Sequence, residues 1–105
     1  MNVQYKKGVI ELCILAALKK RDWYGYELSE AISKTIDISD GTVYPILRKL
    51  KSDGLVQTYL SEESGGPPRK YYSITRTGVL QFEQDSAEWL AFAETVKNLI
   101  KGEEV

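Results

Sequence analysis

The side chains best placed by type and spacing to do chemistry are Arg48, three residues beyond Pro45 in the run Gly41-Thr42-Val43-Tyr44-Pro45, and the triplet Arg69-Lys70-Tyr71. A guanidinium can pair with guanine through two hydrogen bonds, and a lysine ammonium neutralises a phosphate. A tyrosine offers a ring to thymine methyls and a hydroxyl to a phosphate oxygen. This is recognition chemistry at a nucleic-acid surface, with no bond made or broken. Thr42, near the start of the run, is placed to meet phosphate, and Lys6 and Lys7 could add phosphate contacts ahead of the first helix.

Catalytic chemistry has little to work with. The 105 residues contain no histidine and a single cysteine, Cys13. That removes Ser-His-Asp and Cys-His catalysis, histidine-containing zinc sites and an internal disulfide together. Cys13 lies among Leu12, Ile14 and Leu15 and reads as a small buried core residue in a reduced, intracellular protein. An enzyme would need carboxylate chemistry, for example through Glu27 and Glu30, which are better explained as the solvated face of a helix. No catalytic residue, metal site or cofactor is expected.

The elements that must position the cations follow from periodicity. Ser39 and Asp40 carry side-chain oxygens able to accept the free amides of a first helical turn. Successive 100° steps put Val43, Ile46, Leu47 and Leu50 on one stripe and Gly41, Tyr44, Pro45, Arg48 and Ser52 on the opposite face. Pro45 removes a helical hydrogen bond, so the helix either begins late or bends there. Tyr5 to Lys20 is apolar on most of its circumference, which predicts a helix buried on several sides. A second helix fits Tyr26 to Thr35. Leu55 to Ser61 and Arg69 to Thr75 are rich in β-formers and flank a Gly-Pro turn, which predicts a β-hairpin with a flexible tip.

Beyond Thr75, Val79, Phe82, Ser86, Trp89, Ala93, Val96 and Ile100 recur at alternating spacings of 3 and 4. A helix from Val79 to Lys101 would extend about 34 Å at 1.5 Å per residue, too long to lie wholly on so small a body. The stripe therefore predicts pairing with a second copy. The expected division is a winged helix-turn-helix body over residues 1–78 and a dimerisation helix over 79–105, mainly α with a small β-hairpin. Charge divides at the same place: residues 1–78 hold 12 Lys and Arg against 9 Asp and Glu, and 79–105 hold 2 against 6. The net −1 thus conceals a mildly basic body. No signal peptide or membrane span is legible, and a cytoplasmic protein is expected.

Trp89 is a large heptad residue beside the smaller Ser86 and Ala93, which can leave a slot across a twofold axis. Two such rings could flank a flat aromatic ligand, with Phe82 and Phe92 enlarging the apolar lining and Asp85 or Glu88 supplying charge for a cation. The alternative is that Trp89 fills the dimer core.

Taken together, Tyr24-Gly25-Tyr26-Glu27-Leu28, Gly41-Thr42-Val43-Tyr44-Pro45, Leu47 through Leu50, Gly54-Leu55, and Pro68-Arg69-Lys70-Tyr71-Tyr72-Ser73-Ile74-Thr75 with Gly78 resemble a PadR-family transcriptional regulator. The single helix after Gly78 is similar to the small subclass of that family. The resemblance implies a homodimer that binds a palindromic double-stranded DNA operator, represses transcription, and releases DNA when a small molecule or stress signal alters the dimer. It places Thr42, Tyr44, Pro45 and Arg48 in the recognition helix and Arg69, Lys70 and Tyr71 in the wing. Trp89 matches the central-helix tryptophan of multidrug-responsive members, which bind planar aromatic compounds between subunits. A winged-helix protein-interaction module without DNA binding is the competing reading; the negative net charge suits it, and Arg48, Arg69 and Lys70 argue against it.

Overall fold

The computed structural model describes residues 3–62 and 65–103, with side chains from residue 8 onward. The chain runs α1 (Val3–Lys20), β1 (Trp23–Tyr24), α2 (Gly25–Ile36), α3 (Asp40–Ser52), β2 (Val56–Ser61), β3 (Arg69–Ile74) and α4 (Arg76–Ile100). The three antiparallel strands lie in the order β1-β3-β2. This is the mixed α+β architecture expected from the sequence, with one strand more than the hairpin.

Ile10, Ile14 and Leu18 of α1 form the spine of the core, against Leu28 and Ile32 of α2, Val43, Leu47 and Leu50 of α3, and Val56 and Tyr72 of the sheet. The α3 stripe read from 3.6-residue periodicity is the stripe that is buried. Cys13 is half-buried at the edge of this core rather than inside it, and burial raises its thiol pKa.

Between α2 and α3 the chain turns through Asp37, whose φ of 61° closes α2 in the left-handed region. Ile38 N–H donates to the Ser33 carbonyl at 3.0 Å across that turn. Ser39 takes the N-cap position of α3, but its hydroxyl meets the Thr42 hydroxyl at 3.0 Å instead of accepting a helix amide, contrary to the capping expected of it. Asp40 is the first helical residue, so α3 does not begin late, and Pro45 sits inside it on the exposed side.

The unforeseen strand β1 pairs Trp23 with Tyr72 and Tyr24 with Tyr71. Trp23 anchors it: the indole Nε1 donates to the Ala17 carbonyl at 3.1 Å and the Arg21 guanidinium lies 3.5 Å over the ring. α2 then starts at Gly25, where a Cβ would come within 2.9 Å of the Tyr72 ring.

The hairpin is tied to the helices at one junction. Gly54, at φ 76°, turns the chain out of α3. Thr75 Oγ1 donates to the Gly54 carbonyl at 2.7 Å and accepts from Gly78 N–H at 3.0 Å, and Thr75 N–H donates to the Leu55 carbonyl at 3.1 Å. Through this cap α4 begins at Arg76, earlier than the Val79 expected from the apolar pattern. α4 packs back on α1, with Lys19 bridging to Glu83 at 3.4 Å and lying over the Phe82 ring. The molecule measures 58 × 28 × 21 Å, and among the described residues no helix is long and apolar enough to cross a membrane.

Gly78 is buried, and a Cβ there would run into the Leu55 carbonyl and approach Ile74 Cγ1 to 2.7 Å. Gly78→Ala should therefore cost about 3 kcal/mol by forcing backbone apart, lowering the thermal midpoint by on the order of 10 °C in a melting curve. An unchanged midpoint would contradict that packing. Burial also pushes the Tyr72 hydroxyl above its ordinary pKa, partly offset by the Arg48 charge. Above about pH 10 the unfolded chain ionises this tyrosine while the folded chain keeps it protonated, so stability contributed by the neutral form falls as pH rises. Tyr72→Phe should flatten that alkaline loss in urea titrations, and an equally steep loss would count against it.

Candidate nucleic-acid interface

α3 presents Gly41, Pro45 and Arg48 on its exposed face. Gly41 has open space around it and Pro45 has no side-chain donor, so both can meet a groove only by van der Waals contact. Arg48 is the guanidinium on that face. Thr42 is half-buried and its hydroxyl is engaged by Ser39. Tyr44 departs from the helical-wheel expectation: it is half-buried and packs against the core.

Alternation along β3 separates the residues of the expected wing. Lys70 and Tyr72 share the face that looks toward α3, with the Lys70 ammonium 5.8 Å from the Tyr72 ring. Arg69 and Tyr71 share the other face. There Tyr24, Tyr71 and Tyr59 lie side by side across the three strands, with ring centroids 6.0 Å and 5.7 Å apart. The Arg69 guanidinium lies 4.8 Å over Tyr24, and Tyr59 donates to Asp22 Oδ2 at 2.7 Å. The sequence placed Arg69, Lys70 and Tyr71 together; the structure groups Lys70 with Arg48 and leaves Arg69 and Tyr71 with the tyrosine row.

Lys70 and Arg48 meet in a cleft of about 340 Å³ between the start of α2, α3 and β3, lined also by Tyr24, Gly25, Tyr26, Tyr44 and Tyr72. Tyr24 and Tyr26 were not read as site residues. They stood in a recognisable motif, but their approach to α3 depends on β1 pairing with β3. Lys6 and Lys7 lie outside the residues whose side chains are described.

A second region lies between α1 and α4. Trp89 and Phe92 line two adjoining clefts: one of about 340 Å³ with Gly8, Glu11, Leu12, Asp85 and Glu88, the other of about 450 Å³ with Val9, Ala93, Val96, Lys97 and Ile100. The structure thus brings together Trp89, Phe92, Asp85 and Ala93. Phe82 instead packs against the core under Lys19, and the Ser86 hydroxyl donates to the Glu83 carbonyl of its own helix at 3.2 Å, so neither lines these clefts. Trp89 is 41 % exposed, and Leu90, Phe92 and Ile100 are 63 %, 66 % and 80 % exposed. Among the described residues no cluster of metal-ligating side chains occurs.

Comparison with known proteins agrees with the geometry. A PadR-like transcriptional regulator from Bacillus cereus is 40 % identical and superposes with a TM-score of 0.85, covering 95 % of this chain and 99 % of its own. A PadR family transcription regulator from Clostridium difficile is 31 % identical with a TM-score of 0.77, covering 87 % and 97 %. The transcriptional regulator YqjI of Escherichia coli is 31 % identical over 86 % of this chain, which spans 44 % of YqjI. These relatives are transcriptional regulators, not enzymes. The model of the transcriptional regulator PadR-like family matches residues 14–84, from the middle of α1 through the start of α4, and the chain belongs to that family.

Proposed function

We propose that this protein is a homodimeric, sequence-specific DNA-binding regulator of the short PadR type, a cytoplasmic repressor whose grip on a palindromic operator is released by a planar aromatic ligand. The observation that carries the DNA-binding part is the convergence of Arg48 from α3 and Lys70 from β3 on one cleft, so that helix and wing present positive charge on the same side of the body. In this reading Arg48 reads a base edge or holds a phosphate, and Thr42, Tyr44 and Pro45 shape the groove-facing surface. Arg69, Lys70 and Tyr71 act from the wing, and Lys6 and Lys7 act from the first turns of α1.

The dimer reading rests on α4. Its apolar residues Leu90, Phe92 and Ile100 stand well exposed beside the Trp89 clefts, and a second copy would cover them. The segment 79–105 serves here as the dimerisation element, through its helix α4. The ligand is placed at Trp89, Phe92 and Ala93, with Asp85 and Glu88 beside them, as an aromatic slot edged by carboxylates.

Fluorescence anisotropy with DNA from upstream of the protein's own gene, against scrambled duplex and across a salt series, tests the first part. Binding should be salt-sensitive and sequence-selective. Arg48→Ala should lower affinity by about 1–3 kcal/mol and narrow the difference between the two duplexes. No binding at low salt by a confirmed dimer would instead support a protein-interaction module. For the ligand, an acridine dye added without DNA should quench Trp89 emission in the wild type and leave the Trp23 emission of a Trp89→Phe variant unquenched. Equal quenching in both would reduce Trp89 to packing.

A further inference from the structure

We propose that the cleft between the start of α2, α3 and β3 is the seat of one phosphodiester of the DNA backbone, held by the hydroxyl of Tyr26 together with Arg48 and Lys70, with Tyr24 as a wall. The proposal rests on the DNA-binding reading and adds to it Tyr26, a residue from outside the recognition helix and wing.

The lining chemistry selects the occupant. The cleft of about 340 Å³ is walled by tyrosine rings and contains two cations, with no carboxylate or amide side chain among its lining residues. Neither Arg48 nor Lys70 forms an ion pair among the described residues; the five pairs found there belong to Lys19, Lys34, Lys49 and Lys97. Nor does any hydroxyl of Tyr24, Tyr26 or Tyr44 make a hydrogen bond among the described residues, although Tyr59 of the neighbouring row does. The polar groups of the lining side chains are thus cationic or hydroxyl donors with capacity to spare. A base edge presents donors as well as acceptors and would leave its donors without a side-chain carboxylate or amide partner. A phosphodiester presents acceptor oxygens and a negative charge, which matches the set.

Position agrees with chemistry. Arg48 lies at once in the cleft and on the exposed face of α3, so a strand whose bases meet α3 would carry its backbone past the cleft. Tyr26 is 59 % exposed and 6.2 Å from Tyr24, which places both rings at the rim. Tyr44, half-buried, forms the floor and is a wall of the seat more than a reader of bases. The seat is held open by Gly25, because a side chain there would collide with Tyr72.

Phosphate contacts position a protein without reading sequence, so Tyr26 and Lys70 should govern affinity and not selectivity. The test uses the full-length protein and duplex from upstream of its own gene, with single phosphates replaced one at a time by neutral methylphosphonate. Wild type should lose roughly tenfold in affinity at one phosphate per half-site, as expected for losing a charge-assisted contact. Tyr26→Phe combined with Lys70→Ala should bind the unmodified duplex more weakly, lose equally on scrambled duplex, and show a smaller further loss at that phosphate than wild type, Arg48 being left as its one cation. Lys70→Ala alone should reduce the salt slope by about one. Tyr26 and Lys70 are both exposed, and a circular dichroism melt checks that the variants fold. If the methylphosphonate penalty is the same in the double variant as in wild type at every position, the seat is overturned while DNA binding stands. If wild type binds no DNA, both fall.

Discussion

The arrangement of helix and wing depends on the Thr75 hydroxyl, which ties the end of α3 to the beginning of α4. One oxygen donates to the carbonyl of Gly54, where the chain leaves α3, and accepts the amide of Gly78, in the first turn of α4. The Leu55 carbonyl takes Thr75 N–H on one side and is pressed by Gly78 on the other. Four segments, the end of α3, the start of β2, the end of β3 and the start of α4, therefore meet within hydrogen-bond distance. A hairpin alone is marginally stable and free to swing. Clamped at its base, it holds Lys70 at a set distance from Arg48.

The sheet does the rest through its two-residue period. Adding β1 to the edge of β3 puts Tyr24 beside Tyr71 and Trp23 beside Tyr72, so the α2 start is drawn against the wing. The tyrosine row on the outer face stiffens the three strands by contacts worth about 0.5–1.5 kcal/mol for each aromatic pair. The inner face is left to Tyr72, which packs into the core, and to Lys70, which reaches the cleft. A one-residue shift of register would turn Lys70 to the outer face and bring Arg69 and Tyr71 to the inner one.

Much of this was legible in the sequence because it is local. The buried stripe of α3 follows from Val43, Ile46, Leu47 and Leu50 alone, and the hairpin from two β-rich runs around a Gly-Pro segment. What escaped was set by partners distant along the chain. A two-residue strand at Trp23 and Tyr24 carries no periodicity of its own; it exists because the Trp23 indole finds Ala17 and its backbone finds β3. Tyr44 sits on the polar side of a helical wheel, yet its ring packs against the core. The apolar stripe of α4 starts only at Val79 because Arg76 and Thr77 are polar, while the helix itself begins at the Thr75 cap. Ser39 had the right residue type for a cap, and its hydroxyl went to Thr42 instead.

The same distances constrain how a ligand near Trp89 could act on α3. Glu11 lines the Trp89 cleft and also accepts from Lys49 of α3 at 3.2 Å, a direct polar link between the two regions. Lys49, however, is 57 % exposed and shared with Asp53, and an exposed pair of this kind is screened by solvent and contributes little. Coupling between an effector and DNA is typically about 1–3 kcal/mol. The ion pair alone falls short of that range, so under the ligand-responsive reading most of the coupling has to pass through packing. α1 is the element able to carry it: one side meets α4 around the clefts, and Ile10, Ile14 and Leu18 on the other are locked against α2 and α3. Close-packed side chains transmit a displacement instead of absorbing it. A wedge between α1 and α4 would then turn the recognition helices by moving α1 as a rigid rod, with Glu11 and Lys49 following that motion.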